Sequence, residues 1–292
     1  MRNLALVSVW IVVGSACAAS SPALNLVPAA RAAATAATMT FDGLDRSYLL
    51  WRPAGLARSS PVPLVIAMHG YTSSAAQMES MTRFDEVAIE FGFVVVYPQG
   101  LGRSWDAGWC CHGNTGDDVA FLDALIDQVV LEQNIDRSRV LATGMSNGAM
   151  MAQRLACELP GRITAAVSVS GSLLVGSCHP SRPISILEVH GEADAVVPIK
   201  GGFRSGLGTF RSTLSVMQEW AGIDGCPSDA AVADNPTVTS YTWAPCRAGT
   251  RVELEAVKRG GHSWFGPQDA AGEPDASRIA WHFLMDAPPL AS

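Results

Sequence analysis

From about Met39 onward, short unbroken apolar runs alternate with stretches of helical periodicity, and this alternation constrains the fold more than any other feature. Residues 63–68 (PLVIAM) read as a strand ending at His69-Gly70, and 93–97 (FVVVY) as another, stopped by Pro98. Residues 117–132 read as a helix, because Val119, Leu122, Leu125, Ile126, Val129 and Val130 share one face. A strand at 139–143 runs into Gly144 and is followed by a helix to about Cys157. Further strands are expected at 165–169, 184–189 and 252–257, and a last helix at 275–284. Strands that are apolar throughout need cover on both faces. The pattern therefore predicts a mostly parallel central sheet with helices on either side. There is no internal repeat, and too few residues follow Leu284 for a second domain, so a single domain at 39–287 is expected.

Charged residues are 16% and hydrophobic residues 48% of the 292-residue chain, which excludes a disordered, solvating polymer. The balance of 20 basic and 27 acidic side chains gives −7, with no run of Lys or Arg. Nucleic acid is thereby excluded as an expected partner, since phosphate binding needs a basic footprint.

The N-terminus reads as a targeting segment. Arg2 precedes an apolar run from Leu4 to Val13 that is too short to span a bilayer but suits a secretory signal. Small residues follow, so residues 1–19 are expected to be a signal peptide cleaved near Ala18 or Ala19, leaving an extracellular protein. Ser15-Ala16-Cys17 allows a second route, in which Cys17 carries a lipid anchor and the protein stays anchored or periplasmic. Residues 20–38, rich in Ala and without periodicity, read as a spacer. No other stretch offers a transmembrane span.

Of the seven cysteines, either route removes Cys17 as a thiol, leaving Cys110, Cys111, Cys157, Cys178, Cys226 and Cys246. An even number in an exported chain points to disulfides. Cys226 and Cys246 are the expected pair, because each flanks a turn-rich stretch beside a proline. The partners of Cys110 and Cys111 stay open. No spacing suits a zinc site, so no metal is expected.

The strand at 139–143 runs straight into Gly144-Met145-Ser146-Asn147-Gly148 and then a helix. This is a G-x-S-x-G pentapeptide in the strand–turn–helix setting of a nucleophile elbow. Flanking glycines are needed because a sharp turn between packed elements leaves no room for side chains. The helix N-terminus beneath the serine favours developing negative charge. A simple Gly/Ser turn at a strand end is the plain alternative, but the junction favours Ser146 as nucleophile.

A serine hydroxyl needs a base held by an acid. In such a fold the chain order is Ser, then Asp or Glu, then His. His262 lies in a glycine-rich loop after the strand at 252–257, where α/β active sites sit. His282 falls inside the last helix, His190 ends a strand beside Gly191, and His179 sits in a loop. Those three read as packing, local hydrogen-bonding or surface residues. For the acid, Glu192 and Asp194 both follow the strand at 184–189. For either, the plain alternative is a turn carboxylate capping backbone amides. The oxyanion hole is expected from the N–H of Asn147, after the nucleophile, and that of Tyr71, in the loop after the strand at 63–68.

Assembled, these motifs make the chain resemble the poly(3-hydroxybutyrate) depolymerase-like and feruloyl esterase group of α/β-hydrolases, secreted bacterial and fungal esterases. The resemblance runs from about Met39 to Leu284. It rests on HGYTSS from His69, WCCHG followed by DDVAFLDALID, GMSNGAMMAQRLAC around Ser146, HGEADAVVP, and GGHSWFG. It implies that Asp194, in the HG-x-x-D-x-x-VP segment, is the acid and that His262, in the GGH-[ST]-W segment, is the base. Glu192 and Ile199 depart from the small or hydroxyl residue and the Tyr more usual there, which bears on substrate preference. The implied reaction is acyl transfer through Ser146 with no metal or organic cofactor.

Trp105, Trp109, Tyr71, Trp264 and Phe265 flank the motifs. Trp109 and Trp264 are candidate substrate contacts, with core packing as the alternative. Depolymerases of solid polyester in this group usually carry a linker and a surface-binding domain, which the sequence does not display. The expected substrates are therefore soluble: feruloyl or acetyl esters of saccharides, or hydroxyalkanoate oligomers. Polyester depolymerisation proper is the alternative within the class, and a peptidase of this fold is weaker for want of a propeller or lid domain. A catalytically silent surface or carbohydrate-binding protein on a hydrolase scaffold is the alternative of another class.

Overall fold

The computed structural model describes residues 34–111, 116–266 and 274–290. In chain order its elements are β1 (Thr35–Phe41), β2 (Leu44–Trp51), β3 (Val62–Met68), α1 (Ala75–Thr82), α2 (Phe84–Phe91), β4 (Val94–Pro98), α3 (Asp118–Gln133), β5 (Ile135–Met145) and α4 (Asn147–Glu158). There follow β6 (Ala165–Val169), β7 (Ser185–Gly191), β8 (Gly202–Arg204), β9 (Gly208–Phe210), α5 (Thr213–Asp224), β10 (Ala231–Asp234), β11 (Val238–Trp243), β12 (Val252–Val257) and α6 (Ala276–Asp286).

Among the described residues, ten strands form one sheet in the order β1-β2-β4-β3-β5-β6-β7-β12-β11-β10. The central run from β4 to β12 is parallel. Antiparallel strands extend both edges, β1 and β2 beside β4, and β11 and β10 beside β12. The pleat sends alternate side chains of each central strand into two separate cores. Leu64, Ile66 and Met68 of β3 face a core closed by α3, α4 and α5, whereas Val65 and Ala67 face one closed by α1, α2 and α6. That double cover is why β3 and β4 are apolar almost throughout.

The order also fixes where loops converge. From β3 the chain goes to β4 on one side, then returns to β5 on the other. The C-terminal ends of β3 and β5 therefore flank a switch point, where doubly wound sheets open a crevice.

One sequence expectation shifts. Residues 1–33, holding the signal segment and most of the spacer, lie outside the described residues. The rest of the spacer does not stay outside the fold, because Thr35 to Thr38 open β1 and pair with Leu50 to Ser47 of β2. The folded unit thus begins before Met39. The expected Cys226–Cys246 bridge is present, and the partners left open pair as Cys157–Cys178 and the neighbours Cys110–Cys111. Among the described residues no helix is long and apolar enough to cross a membrane.

Candidate active site

Strand β5 delivers Ser146 to the sheet's upper edge, and α4 starts at the next residue. Ser146 has φ 54° and ψ −117°, a backbone region that side chains other than Gly avoid. Its N–H donates to Val169 O at 2.9 Å, and its carbonyl accepts the Met150 N–H at 2.9 Å, so sheet and helix both hold the turn. A Cβ on Gly148 would run into the carbonyls of Met68 and His69, and one on Gly144 into Gly148. The glycines flanking Ser146 are therefore needed for close backbone approach.

The loop after β3 lies against the elbow, since a Cβ on Gly70 would stand 3.5 Å from Ser146 Cβ. Trp105 Nε1 donates to His69 O at 2.8 Å and Thr72 N–H to Arg103 O at 2.8 Å, which fix this loop from outside. His69 is buried, its Nδ1 2.8 Å from Gly70 O, and its Nε2 accepts the Gly100 N–H at 3.0 Å. Burial lowers its pKa, consistent with a neutral ring. The Asn147 side chain is wholly buried and bonds both ways to Trp105: its Oδ1 accepts from Trp105 N at 2.7 Å and its Nδ2 donates to Trp105 O at 3.0 Å. With side chain and loop so fixed, the backbone N–H groups of Tyr71 and Asn147 have no acceptor among the described residues.

The candidate acid and base come from neighbouring loops after β7 and β12. His262 Nδ1 lies 2.8 Å from Asp194 Oδ2, and Asp194 Oδ1 accepts the N–H groups of Val196 and Val197, each at 2.8 Å. Asp194 is buried, while Glu192, the other carboxylate weighed from the sequence, points to solvent. Its N–H and that of Ala193 donate to Val257 O and Gly260 O at 2.9 and 2.8 Å, which strap the two loops together. A Cβ on Gly191 would strike the Gly260 and Gly261 carbonyls. Burial pushes the Asp194 carboxyl up, but hydrogen bonds from His190 and His262 outweigh it and hold its pKa well below the usual range.

The aromatic candidates divide. Trp264 is 4% exposed, its Nε1 donates to Ser277 Oγ at 3.0 Å, and its ring meets Phe84 edge-on at 5.8 Å. It packs the core between α2 and α6, which corrects its expected place as a substrate contact. Trp105 and Phe265 are likewise fully buried. Trp109 remains 39% and Tyr71 42% exposed. Trp109 leans on Phe210 of β9 at 5.2 Å and lines a cavity of about 710 Å³ with Leu173, Leu174, Arg154 and Arg211. Ser146, Asp194 and His262 do not line that cavity. Among the described residues no cluster of three or more His, Cys, Asp or Glu side chains suits a metal ion.

Sequence reading missed a polar pair behind Asp194, Glu188 and His190, both fully buried on β7. The signal was two chargeable residues two apart in an otherwise apolar strand.

Known proteins share this framework. A bifunctional acetylxylan esterase/xylanase of Neocallimastix patriciarum is 30% identical over 258 residues, 86% of this chain and 35% of that protein. Feruloyl esterase B of Piromyces equi is 29% identical over 231 residues, 75% of this chain and 42% of that protein. The chain thus spans well under half the length of these two curated relatives. Among solved structures, an acetyl xylan esterase from Aspergillus awamori matches with a TM-score of 0.64 at 17% identity, covering 87% of this chain and 100% of that one. That likeness is one of fold, the α/β-hydrolase fold. The family model described as esterase PHB depolymerase matches residues 46–201, a span holding both the loop after β3 and the elbow, so the chain belongs to the esterase PHB depolymerase family.

Proposed function

We propose that this chain is a secreted serine carboxylic-ester hydrolase. Two observations carry the reading: a strained Ser146 on the α4 N-terminus with the loop after β3 against it, and a His262–Asp194 pair at 2.8 Å. Ser146 attacks the ester carbonyl while His262 takes its proton. Asp194, ionised and fixed by two backbone N–H groups, holds the imidazole in the tautomer that leaves Nε2 free to take the proton. The oxyanion is stabilised by the N–H groups of Asn147 and Tyr71, which have no competing acceptor. The alcohol leaves with the proton from His262, and water activated by the same ring hydrolyses the acyl-enzyme.

The activities for which the relatives are named, acetylxylan esterase and feruloyl esterase, support saccharide esters as substrates. Exposed Trp109 is the candidate aromatic contact. Three disulfides suit an oxidising compartment and, with residues 1–19 as export signal, support secretion; a lipid at Cys17 is the variant of that route. The test compares kcat/KM on methyl ferulate, an acetylated xylo-oligosaccharide and a soluble 3-hydroxybutyrate trimer. One of the first two should lead; a trimer preference would make it a polyester-oligomer hydrolase. Ser146→Ala should lower kcat at least about ten-thousand-fold with the fold intact, and retained turnover would overturn the triad.

A further inference from the structure

Strand β7 carries Glu188 and His190 into the α3–α5 core, on the same face as Ile186. Both side chains are 0% exposed. Buried chargeable groups are costly unless paired, so their partners show what they do. His190 Nδ1 lies 2.8 Å from Glu188 Oε1, and its Nε2 lies 2.7 Å from Val197 O and 3.4 Å from Asp194 Oδ2. Carboxylate and carbonyl oxygens only accept. A neutral imidazole has a single N–H, so one ring nitrogen would turn its lone pair on an acceptor.

Glu188 does not remove this conflict by holding a proton. Its Oε1 accepts the Gly171 N–H at 2.9 Å, and its Oε2 accepts Gln153 Nε2 at 3.1 Å. The Gln153 amide is oriented by Trp220 Nε1, which donates to its Oε1 at 3.0 Å. Donors converge on both oxygens of Glu188, as around a carboxylate. Ionised Glu188 and Asp194 thus flank a ring that has to donate at both nitrogens.

We propose that His190 is a positioning residue protonated at neutral pH, clamped by Glu188, whose imidazolium keeps Asp194 ionised and aimed at His262. The role rests on the triad reading above. Burial pushes the His190 pKa down, but its bonds to Asp194 and Glu188 outweigh that and lift it to about 10. The charged groups facing the ring are Glu188, Asp194 and, beyond Asp194, His262. Its register partner on β12 is Ala256, and Gln153 of α4 and Trp220 of α5, which carry the clamp, are uncharged.

The cation has a kinetic consequence. Standing behind Asp194, it offsets part of the negative charge that the carboxylate presents to His262. Without it, the acid limb of kcat/KM moves up.

The experiment pairs His190→Gln with Glu188→Gln/His190→Gln, the second leaving no uncompensated buried carboxylate at 188. In both, the acid limb should rise by roughly half a pH unit or more and the plateau should fall about tenfold or more. A residue that merely packs would lower stability without moving the limb. The unmutated protein gives a readout independent of activity and of variant folding: the nitrogen-15 spectrum of the His190 ring near neutral pH should show two N–H groups. A neutral ring, or an acid limb unmoved in both variants, overturns the proposal. Run alongside, an inactive Ser146→Ala with an unmoved limb refutes the His190 role alone. Retained turnover in Ser146→Ala refutes the triad and the positioning role together.

Discussion

At Gly148 the elbow leaves no room for a methyl group, because a Cβ there meets the backbone carbonyls of Met68 and His69. Neither oxygen sits at the end of a flexible side chain, so relief requires moving β3 against α4. Gly148→Ala should therefore cost about 1–3 kcal/mol or more and displace Ser146. Gly161, with nothing within 4 Å of its would-be Cβ, is the matched control, and its alanine variant should change stability by less than about 0.5 kcal/mol. Urea melts and kcat on one ester would check both; equal effects at the two sites would refute the steric account. The glycines of this turn were legible in the sequence because strand, turn and helix each left their own signal. Trp264 was not, since an aromatic beside a catalytic motif reads alike whether it faces solvent or, as here, packs against Phe84. His190 reads as an ordinary strand-end residue until Glu188, two residues back, is seen on the same buried face.

At the scale of elements, legibility follows burial. Strands β3, β4, β6 and β7 and the second half of β5 are buried on both faces and announce themselves as largely apolar runs, whereas β12 alternates buried Val and Leu with half-buried Glu253 and Glu255. Edge strands do not: β10 is exposed throughout and β1 mixes exposed with half-buried positions, so Ala- and Thr-rich residues at 35–38 resemble a spacer until they pair with β2. The β10–β11 edge has a covalent support that its weak packing makes important. Cys226, two residues past α5, is joined to Cys246, just beyond β11, across a sequence separation of 20. In the chain-entropy account a loop of this size contributes about 3 kcal/mol. The double variant Cys226→Ser/Cys246→Ser should then lower Tm by roughly 6–12 °C in a domain of this size. Calorimetry of the double variant against the parent is the check, and an unchanged Tm would show that this edge is held by its ladder alone.

For the whole molecule, the buried charges set a pH dependence of stability. A group whose pKa is higher folded than unfolded adds stability at low pH and loses it as pH rises through its folded value. Asp224 is one: burial lifts it to about 6, against hydrogen bonds from Ile184 N–H and Thr250, so its contribution fades from about pH 4 to 6. Asp194 acts oppositely, with a depressed pKa whose contribution is present above about pH 4 and lost on acidification. These opposed effects share the acid side. His69, lowered by burial, also acts only below about pH 6.5, and Tyr97, raised by burial, acts above about pH 10. Between those limits His190 dominates: its pKa is about 6.5 unfolded and about 10 folded. Its stabilisation is complete below about pH 6.5, and unfolding then releases up to one proton as pH climbs. The unfolding free energy should therefore fall by roughly 1 kcal/mol per pH unit between about pH 7 and 10, a slope set by one proton. Urea melts across that range would measure it. In Glu188→Gln/His190→Gln the same range should be nearly flat, because neither replacement titrates. A parent curve as flat as the variant's would mean that His190 enters the fold uncharged, and that Asp194 keeps its charge through His262 and the Val196 and Val197 amides alone.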